Sequence, residues 1–229
     1  MSTATNTPFR FSLKVLAIPL YTVLFLWIVL WADNRFNLHF RNFGIFPLTP
    51  KGLIGIIFSP FIHGDIAHLA HNSLPLFIML MTLLYFYKEI AFKVIWQGTL
   101  ILGLITWLIA RPAYHIGASG VIYLLVSFIF FSGVLSKNYR LIAVSLIVIF
   151  LYGSLVWYMF PIKEKMSWEG HLSGFIAGII LAVKYRSVLP QPEKYNWEKE
   201  NYLEDEFDLL FDEKGNFNPP ENKEDDTVE

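Results

Sequence analysis

Two short strings of small and polar residues stand out in a mostly apolar chain because their residue types could do chemistry. The first is GASG at residues 117–120, and the second is GHLSG at residues 170–174, followed by Gly178. If the helices that carry them pack together, the hydroxyl of Ser119 meets the imidazole of His171. A serine beside a histidine is a nucleophile beside its general base.

Small residues spaced four apart let two helices approach closely, and this packing role alone also explains such strings in membrane proteins. On that alternative reading, Ser119 only bonds back to a carbonyl of its own helix. The glycines expected to line the contact are Gly117, Gly120, Gly170, Gly174 and Gly178.

Tyr123 follows Ser119 by four residues, so both lie on the same helix face about one turn apart. We count no acidic residue in the apolar segments 112–136 and 170–183 that could orient His171. Tyr123 is therefore expected to hold the imidazole ring, which predicts a Ser–His dyad without a third carboxylate. The alternative for Tyr123 is an ordinary core aromatic.

A third group of polar residues in the sequence is a cluster of histidines that ends at an asparagine. His63, His68 and His71 are followed at once by Asn72, and His68 and Asn72 are four residues apart on one helix face. Side-chain donors of this kind, together with the backbone N–H of Ser119, could stabilise an oxyanion. The alternatives are plain interface histidines or a metal enzyme, although no H-E-x-x-H motif is present. The sequence predicts no metal and no cofactor.

The elements that must position these residues are apolar. The chain has 229 residues, of which 55% are hydrophobic and 16% charged, whereas soluble domains have about 25% charged residues. A spanning helix needs about 20 mostly apolar residues, and six segments meet or approach this length. They are residues 15–32, 66–87, 94–110, a part of 112–136, 141–162 and 170–183. The fold class expected is an all-α polytopic membrane protein.

Charge divides the chain into three parts. Residues 1–14 are a short N-terminus, residues 15–187 hold the six segments, and residues 188–229 carry 14 acidic and 4 basic residues. Such an acidic tail is expected to be disordered. If both termini are cytoplasmic, the cytoplasmic side holds eight of the lysines and arginines near the apolar segments and the outer side holds six, which favours this orientation. The basic residues are scattered, which argues against nucleic acid as a partner, and cysteine is absent.

Together these motifs resemble the rhomboid family of intramembrane serine proteases. The ordered set is H-x4-H-x3-N from His63, then G-x-S-G-x-x-Y from Gly117, then H-x2-G-x3-G from His171. The resemblance covers residues 45–185. It implies a six-transmembrane-helix bundle, a cavity open to the outer face and a first loop, 33–65, partly embedded beside the helices.

Carried onto this chain, the resemblance implies that Ser119 is the nucleophile and His171 its base. His68 and Asn72 would support the oxyanion, and Tyr123 would pack on the imidazole ring. Inactive relatives lack the serine or the histidine, and this chain has both. The first loop lacks the Trp-Arg pair of some bacterial members, which leaves its anchoring open.

The function expected from this resemblance is hydrolysis of peptide bonds in or next to transmembrane segments of protein substrates. The expected location is a bacterial inner membrane, with the lipid bilayer as surroundings. A non-catalytic membrane chaperone or binding protein on the same fold is the alternative. A transporter is a further alternative, but no acidic relay or inverted repeat is visible in the sequence. The oligomeric state is not predicted.

Overall fold

The structure is a computed structural model that describes residues 12–151, 157–162, 166–188, 207, 210–212 and 214–217. The chain forms two compact units, Met1–Gln191 and Pro192–Glu229. In the described residues all regular elements are helices, beside isolated β-bridges. The all-α prediction is therefore confirmed.

Seven α-helices lie in the described part of the first unit. They are α1 (Leu13–Phe36), α2 (Pro50–Phe58), α3 (Ile66–Phe86), α4 (Ala91–Ile109), α5 (Ser119–Leu135), α6 (Tyr139–Leu151) and α7 (Trp168–Lys184). Six of them correspond to the six apolar segments. The fifth segment, 141–162, contains most of α6 and a 3-10 turn at Trp157–Met159, and residues 152–156 lie outside the described residues.

The helix α2 is the element that the apolar segments did not predict. It is a nine-residue helix inside the first loop, and the Thr49 side chain accepts a hydrogen bond from the backbone N–H of Gly52 at its start. Pro50 occupies the first helical position, where its missing N–H costs nothing. These start signals were present in the sequence, but the helix is too short and too apolar to show a helical period.

α5 lies at the centre of the bundle. Apolar residues surround it, and its buried positions occur on every face, as is typical of a helix enclosed by others. It packs against α7 most extensively and also against α6, α3 and α4. α1 packs on α3 and is otherwise covered with exposed large apolar side chains, as expected of a surface that faces lipid.

Three helices, α1, α3 and α4, are long and apolar enough to cross a membrane. α5 and α7 have 17 residues each and α6 has 13. The chain is thus a multi-pass membrane protein by helix length and composition, while the count of six spans stays a prediction.

Glycines bring α5 and α7 into backbone contact. A Cβ atom at Gly174 would overlap the carbonyl oxygen of Gly120, and one at Gly178 would lie 2.5 Å from the carbonyl oxygen of Leu124. No side chain fits at either position without separating the helices. The N-terminal ends of α3, α5 and α7 meet at one end of the bundle, where the residues described below are found.

The connection between α4 and α5 is pinned to the first loop. His115 and Ile45 exchange two backbone hydrogen bonds, of 3.0 Å and 2.8 Å, as an isolated antiparallel bridge. The residues just before Ser119 are therefore held in place by backbone contacts from elsewhere in the unit.

The second unit is described at few positions. Phe211 and Phe217 form an antiparallel bridge, and the Asp212 carboxylate accepts hydrogen bonds from the backbone N–H groups of Lys214 and Asn216. The rest of the tail predicted to be disordered lies outside the described residues.

Candidate active site

Ser119 and His171 lie together where α5 crosses α7. Ser119 is the first residue of α5, and His171 lies in the first turn of α7. The Ser119 Oγ atom is 2.9 Å from His171 Nε2. The approach depends on small residues beside the pair, because a Cβ at Gly120 would be only 3.3 Å from the Gly170 carbonyl oxygen.

The opposite side of the imidazole ring fixes its tautomer. His171 Nδ1 is 2.8 Å from the backbone carbonyl oxygen of Tyr158. A carbonyl oxygen only accepts, so Nδ1 carries the hydrogen and donates it. In the neutral ring, Nε2 then presents a lone pair to the Ser119 hydroxyl. This is the arrangement that a base needs in order to take the hydroxyl proton.

Tyr123 stacks on the His171 ring. The two ring centroids are 4.4 Å apart, and the planes differ by 13°. Contact with Tyr123 on the ring face and with the Tyr158 carbonyl at the ring edge restricts the rotation of the imidazole.

His68 and Asn72 of α3 face the backbone just before Ser119. A Cβ at Gly117 would lie 2.7 Å from His68 Nε2 and 3.8 Å from Asn72 Nδ2. Gly117 also has a φ of +112°, which L side chains rarely adopt, so only glycine fits there. Asn72 is buried, and its Nδ2 has no hydrogen-bond partner in the described structure, which leaves an amide donor unused.

His63 supports the same loop from outside α3. Its Nε2 accepts a hydrogen bond of 3.3 Å from the backbone N–H of Ala118, the residue before Ser119. Burial, followed by the nearby His68 ring, lowers the pKa of His63 to about 4. The ring is therefore neutral at physiological pH, as an acceptor at Nε2 requires. His63 and His68 touch edge to face with centroids 5.0 Å apart.

His71, the third member of the histidine cluster, is exposed on α3. Among the described residues no three His, Asp or Glu side chains are grouped as a metal site would require. The three histidines are therefore not arranged as one ligand set in this part of the chain.

A small cavity of about 20 Å³ opens beside Ser119. Its polar lining comes from Ser59, Thr106, His115 and Ser167. A water molecule needs about 10–15 Å³ and two to four polar partners, so the cavity has the size and the lining for one water.

Sequence reasoning missed the Tyr158 carbonyl and the acidic residue Glu169. A backbone acceptor leaves no mark in residue types. α7 begins at Trp168 and not at residue 170, so Glu169 lies in its first turn, where it is 1% exposed. The sequence predicted that this helix begins at residue 170, two residues later than it does. Glu169 was therefore counted outside the helix, and no acidic residue was expected in it.

The fold and these contacts define a multi-pass membrane protein in which a half-buried serine contacts a buried histidine. Residues 50–188 match the sequence model of the Rhomboid domain. Because the match covers more than half of the chain, the protein belongs to the rhomboid family, as the motifs predicted.

Mycobacterial proteins are similar to this chain. Uncharacterized proteins of Mycobacterium tuberculosis and Mycobacterium bovis are each 36% identical over 163 residues, which is 66% of this chain and 65% of their own length. An uncharacterized protein of Mycobacterium leprae is 30% identical over 206 residues, 84% of this chain and 78% of its own. The matched part thus spans slightly less than two thirds of the first two relatives.

Proposed function

We propose that this protein is an intramembrane serine protease that hydrolyses peptide bonds in or beside transmembrane segments of other proteins. The observation that carries the proposal is the 2.9 Å contact between Ser119 Oγ and His171 Nε2, with the Tyr158 carbonyl fixing the tautomer. Membership of a family that consists mainly of such proteases supports it. The family also has inactive members, and this chain retains both the serine and the histidine.

The first half of the reaction forms an acyl-enzyme. His171 Nε2 takes the hydroxyl proton while Ser119 Oγ bonds to the substrate carbonyl carbon. The ring is then an imidazolium that keeps its Nδ1–H on the Tyr158 carbonyl. When the tetrahedral intermediate collapses, the C–N bond breaks and Nε2 donates its proton to the leaving amine.

The second half repeats these steps with water. His171 Nε2 takes a proton from the water as its oxygen attacks the ester carbon. The intermediate then releases a carboxylic acid, and Ser119 regains its proton from Nε2. The cavity beside Ser119 has polar side chains in its lining and room for one water, which supports a supply of the attacking molecule at the site.

The negative charge that develops on the carbonyl oxygen needs donors. The unused Nδ2 of Asn72 and the ring of His68 are the side-chain candidates, since both face the backbone of Gly117. The N–H of Ser119 is a further candidate, because the first N–H groups of a helix lack partners within it. The positive ends of α3, α5 and α7 meet near this point, which favours an anion.

The substrate class follows from the surroundings of the pair. A transmembrane helix hides its carbonyls in internal hydrogen bonds, so the enzyme is expected to prefer segments that glycine, proline or polar residues weaken. The proposal places the activity in residues 15–187 of a multi-pass protein of a bacterial inner membrane. Both termini are then cytoplasmic, and the site opens to the outer face.

The test is covalent labelling by a fluorophosphonate, together with cleavage of a model transmembrane substrate in membranes. The wild-type chain is expected to label and cleave, and Ser119→Ala and His171→Ala are expected to abolish cleavage while the protein still inserts. The matched control is Ser127→Ala on the same helix. Ser127 is buried two turns deeper and donates to the Phe175 carbonyl. Labelling that persists in Ser119→Ala would show that Ser119 is not the nucleophile and would overturn the proposed site. A wild-type chain that neither labels nor cleaves would favour a non-catalytic binding protein.

A further inference from the structure

Glu169 is a buried carboxylate at the start of α7, two residues before His171. It is 1% exposed, and carboxylates are almost never so buried unless they are paired. Its Oε1 atom is 3.3 Å from the backbone nitrogen of Arg111 and 3.7 Å from Arg111 Nε. Its Oε2 atom has no hydrogen-bond partner in the described structure. The charge of Arg111 is therefore what compensates this carboxylate.

Arg111 belongs to the connection between α4 and α5, 58 positions away from Glu169 in the sequence. Its Nη2 also donates a 2.5 Å hydrogen bond to the carbonyl oxygen of Met166. One guanidinium thus binds two groups at the beginning of α7. Because it is planar and its donors are fixed in direction, it restricts orientation as well as distance.

A second link joins the same two segments. His115 Nε2 is 3.0 Å from the Arg111 carbonyl oxygen, and His115 Nδ1 is 2.7 Å from Ser167 Oγ. The carbonyl only accepts, so Nε2 donates to it, and Nδ1 accepts a hydrogen bond from the Ser167 hydroxyl. Ser167 Oγ in turn accepts from the backbone N–H of Gly170, as the cap of α7. Burial lowers the pKa of His115, which keeps the ring neutral in this role.

The two links hold together the segments that carry the serine and the histidine. Residues 110–118 lead directly into Ser119, and the first turn of α7 carries His171. The glycine contacts of Gly120 with Gly170 and Gly174 hold the two helices together at this end, whereas the two links hold the segments that lead into them. The two links therefore constrain the end of the bundle where the Oγ–Nε2 contact is made.

We propose that Glu169, with Arg111 as its counter-charge, is a positioning residue that keeps Ser119 and His171 in register for proton transfer. Neither side chain has a hydrogen bond to Ser119 or His171 in the described contacts. The carboxylate is also too buried to meet a substrate. Its removal should therefore lower kcat and leave KM nearly unchanged. This inference rests on the proposed protease function.

The experiment compares Glu169→Gln with wild type in the fluorophosphonate labelling rate, in kcat and KM for a transmembrane substrate, and in melting temperature. The control is Glu89→Gln, the same change at an exposed carboxylate between α3 and α4. We expect Glu169→Gln to lower the labelling rate and kcat at least tenfold with KM within twofold, at temperatures well below melting. Glu89→Gln should match wild type.

Arg111→Gln removes the other member of the pair, whose side chain is partly exposed. This variant replaces Glu169→Gln in the experiment if Glu169→Gln fails to accumulate. It should show the same loss in kcat. The kcat of the double variant should be no more than twofold below that of the less active single variant. The reason is that the effects of two groups that act as one unit are not additive.

The outcomes separate the two proposals. The positioning role is wrong, and the protease function stands, if wild type labels and cleaves and both single variants keep its kcat and labelling rate. The same holds if the variants change only in KM or only in melting temperature. A double variant whose losses multiply would also overturn the pair. A wild-type chain that neither labels nor cleaves overturns both proposals.

Discussion

Gly174→Ala should strongly lower the activity of the protein by separating the two helices that hold the reactive pair. The added Cβ would overlap the Gly120 carbonyl oxygen and lie 3.1 Å from the Gly120 carbonyl carbon and 3.2 Å from the Leu124 nitrogen. All three are backbone atoms, and ordinary contacts of a Cβ are 3.4–4 Å. α7 must therefore retreat from α5 by about 1 Å or more.

The expected loss follows from that displacement. Gly120 is the neighbour of Ser119, so a retreat of 1 Å lengthens the 2.9 Å Oγ–Nε2 contact beyond hydrogen-bond reach. A misplacement of about 1 Å costs on the order of 100-fold in rate, which is about 2.7 kcal/mol in the barrier. Overpacking of this kind also lowers the free energy of unfolding by about 1–3 kcal/mol.

The assay is kcat on a transmembrane substrate and the fluorophosphonate labelling rate, with melting temperature measured in parallel. Gly64→Ala is the matched control, because a Cβ there meets only Ile116 Cδ1, at 3.9 Å, and its loop adjoins the site. It should retain activity within about twofold. Full activity in Gly174→Ala would refute the close packing of α5 on α7 as the condition for catalysis.

Three further predictions concern the oxyanion, the tail and the metal alternative. His68→Ala and Asn72→Ala should each lower kcat by about 100- to 1,000-fold without abolishing labelling, since one such donor contributes about 3 kcal/mol; wild-type turnover in both would remove α3 from the site. Truncation after Arg186 should leave cleavage within about threefold of full length, about 0.6 kcal/mol, and a large salt-sensitive loss would instead make the tail a regulatory element. Chelators should not change activity, and a loss that zinc restores would favour the histidine cluster as a metal site.

Several parts of this structure could be predicted because single residue types determine them. The glycines at 174 and 178 indicate a close helix contact whatever the partner is, and only a helix with small residues of its own can supply it. The segment containing Ser119 was the one candidate with such a string. Apolar length alone located six of the helices, although some of their ends were placed two or more residues away from those observed.

The contacts that could not be predicted join distant positions or use the backbone. Arg111 and Glu169 are separated by 58 positions, and nothing in either local sequence indicates the other. Arg111 follows α4 and reads as an ordinary loop cation, and Glu169 fell just outside the apolar segment. Their pairing depends on how α4 and α7 pack, which is a property of the assembled bundle.

The hydrogen bond from His171 to the Tyr158 carbonyl has a consequence for how such proteins diverge. Any residue at position 158 presents a carbonyl, so substitutions there leave the acceptor in place as long as the chain keeps its path. An alanine scan would pass over this partner of the histidine. The residue type at the position equivalent to 158 in a relative therefore does not indicate whether its histidine has this hydrogen bond. That information lies in the length and path of the connection between α6 and α7.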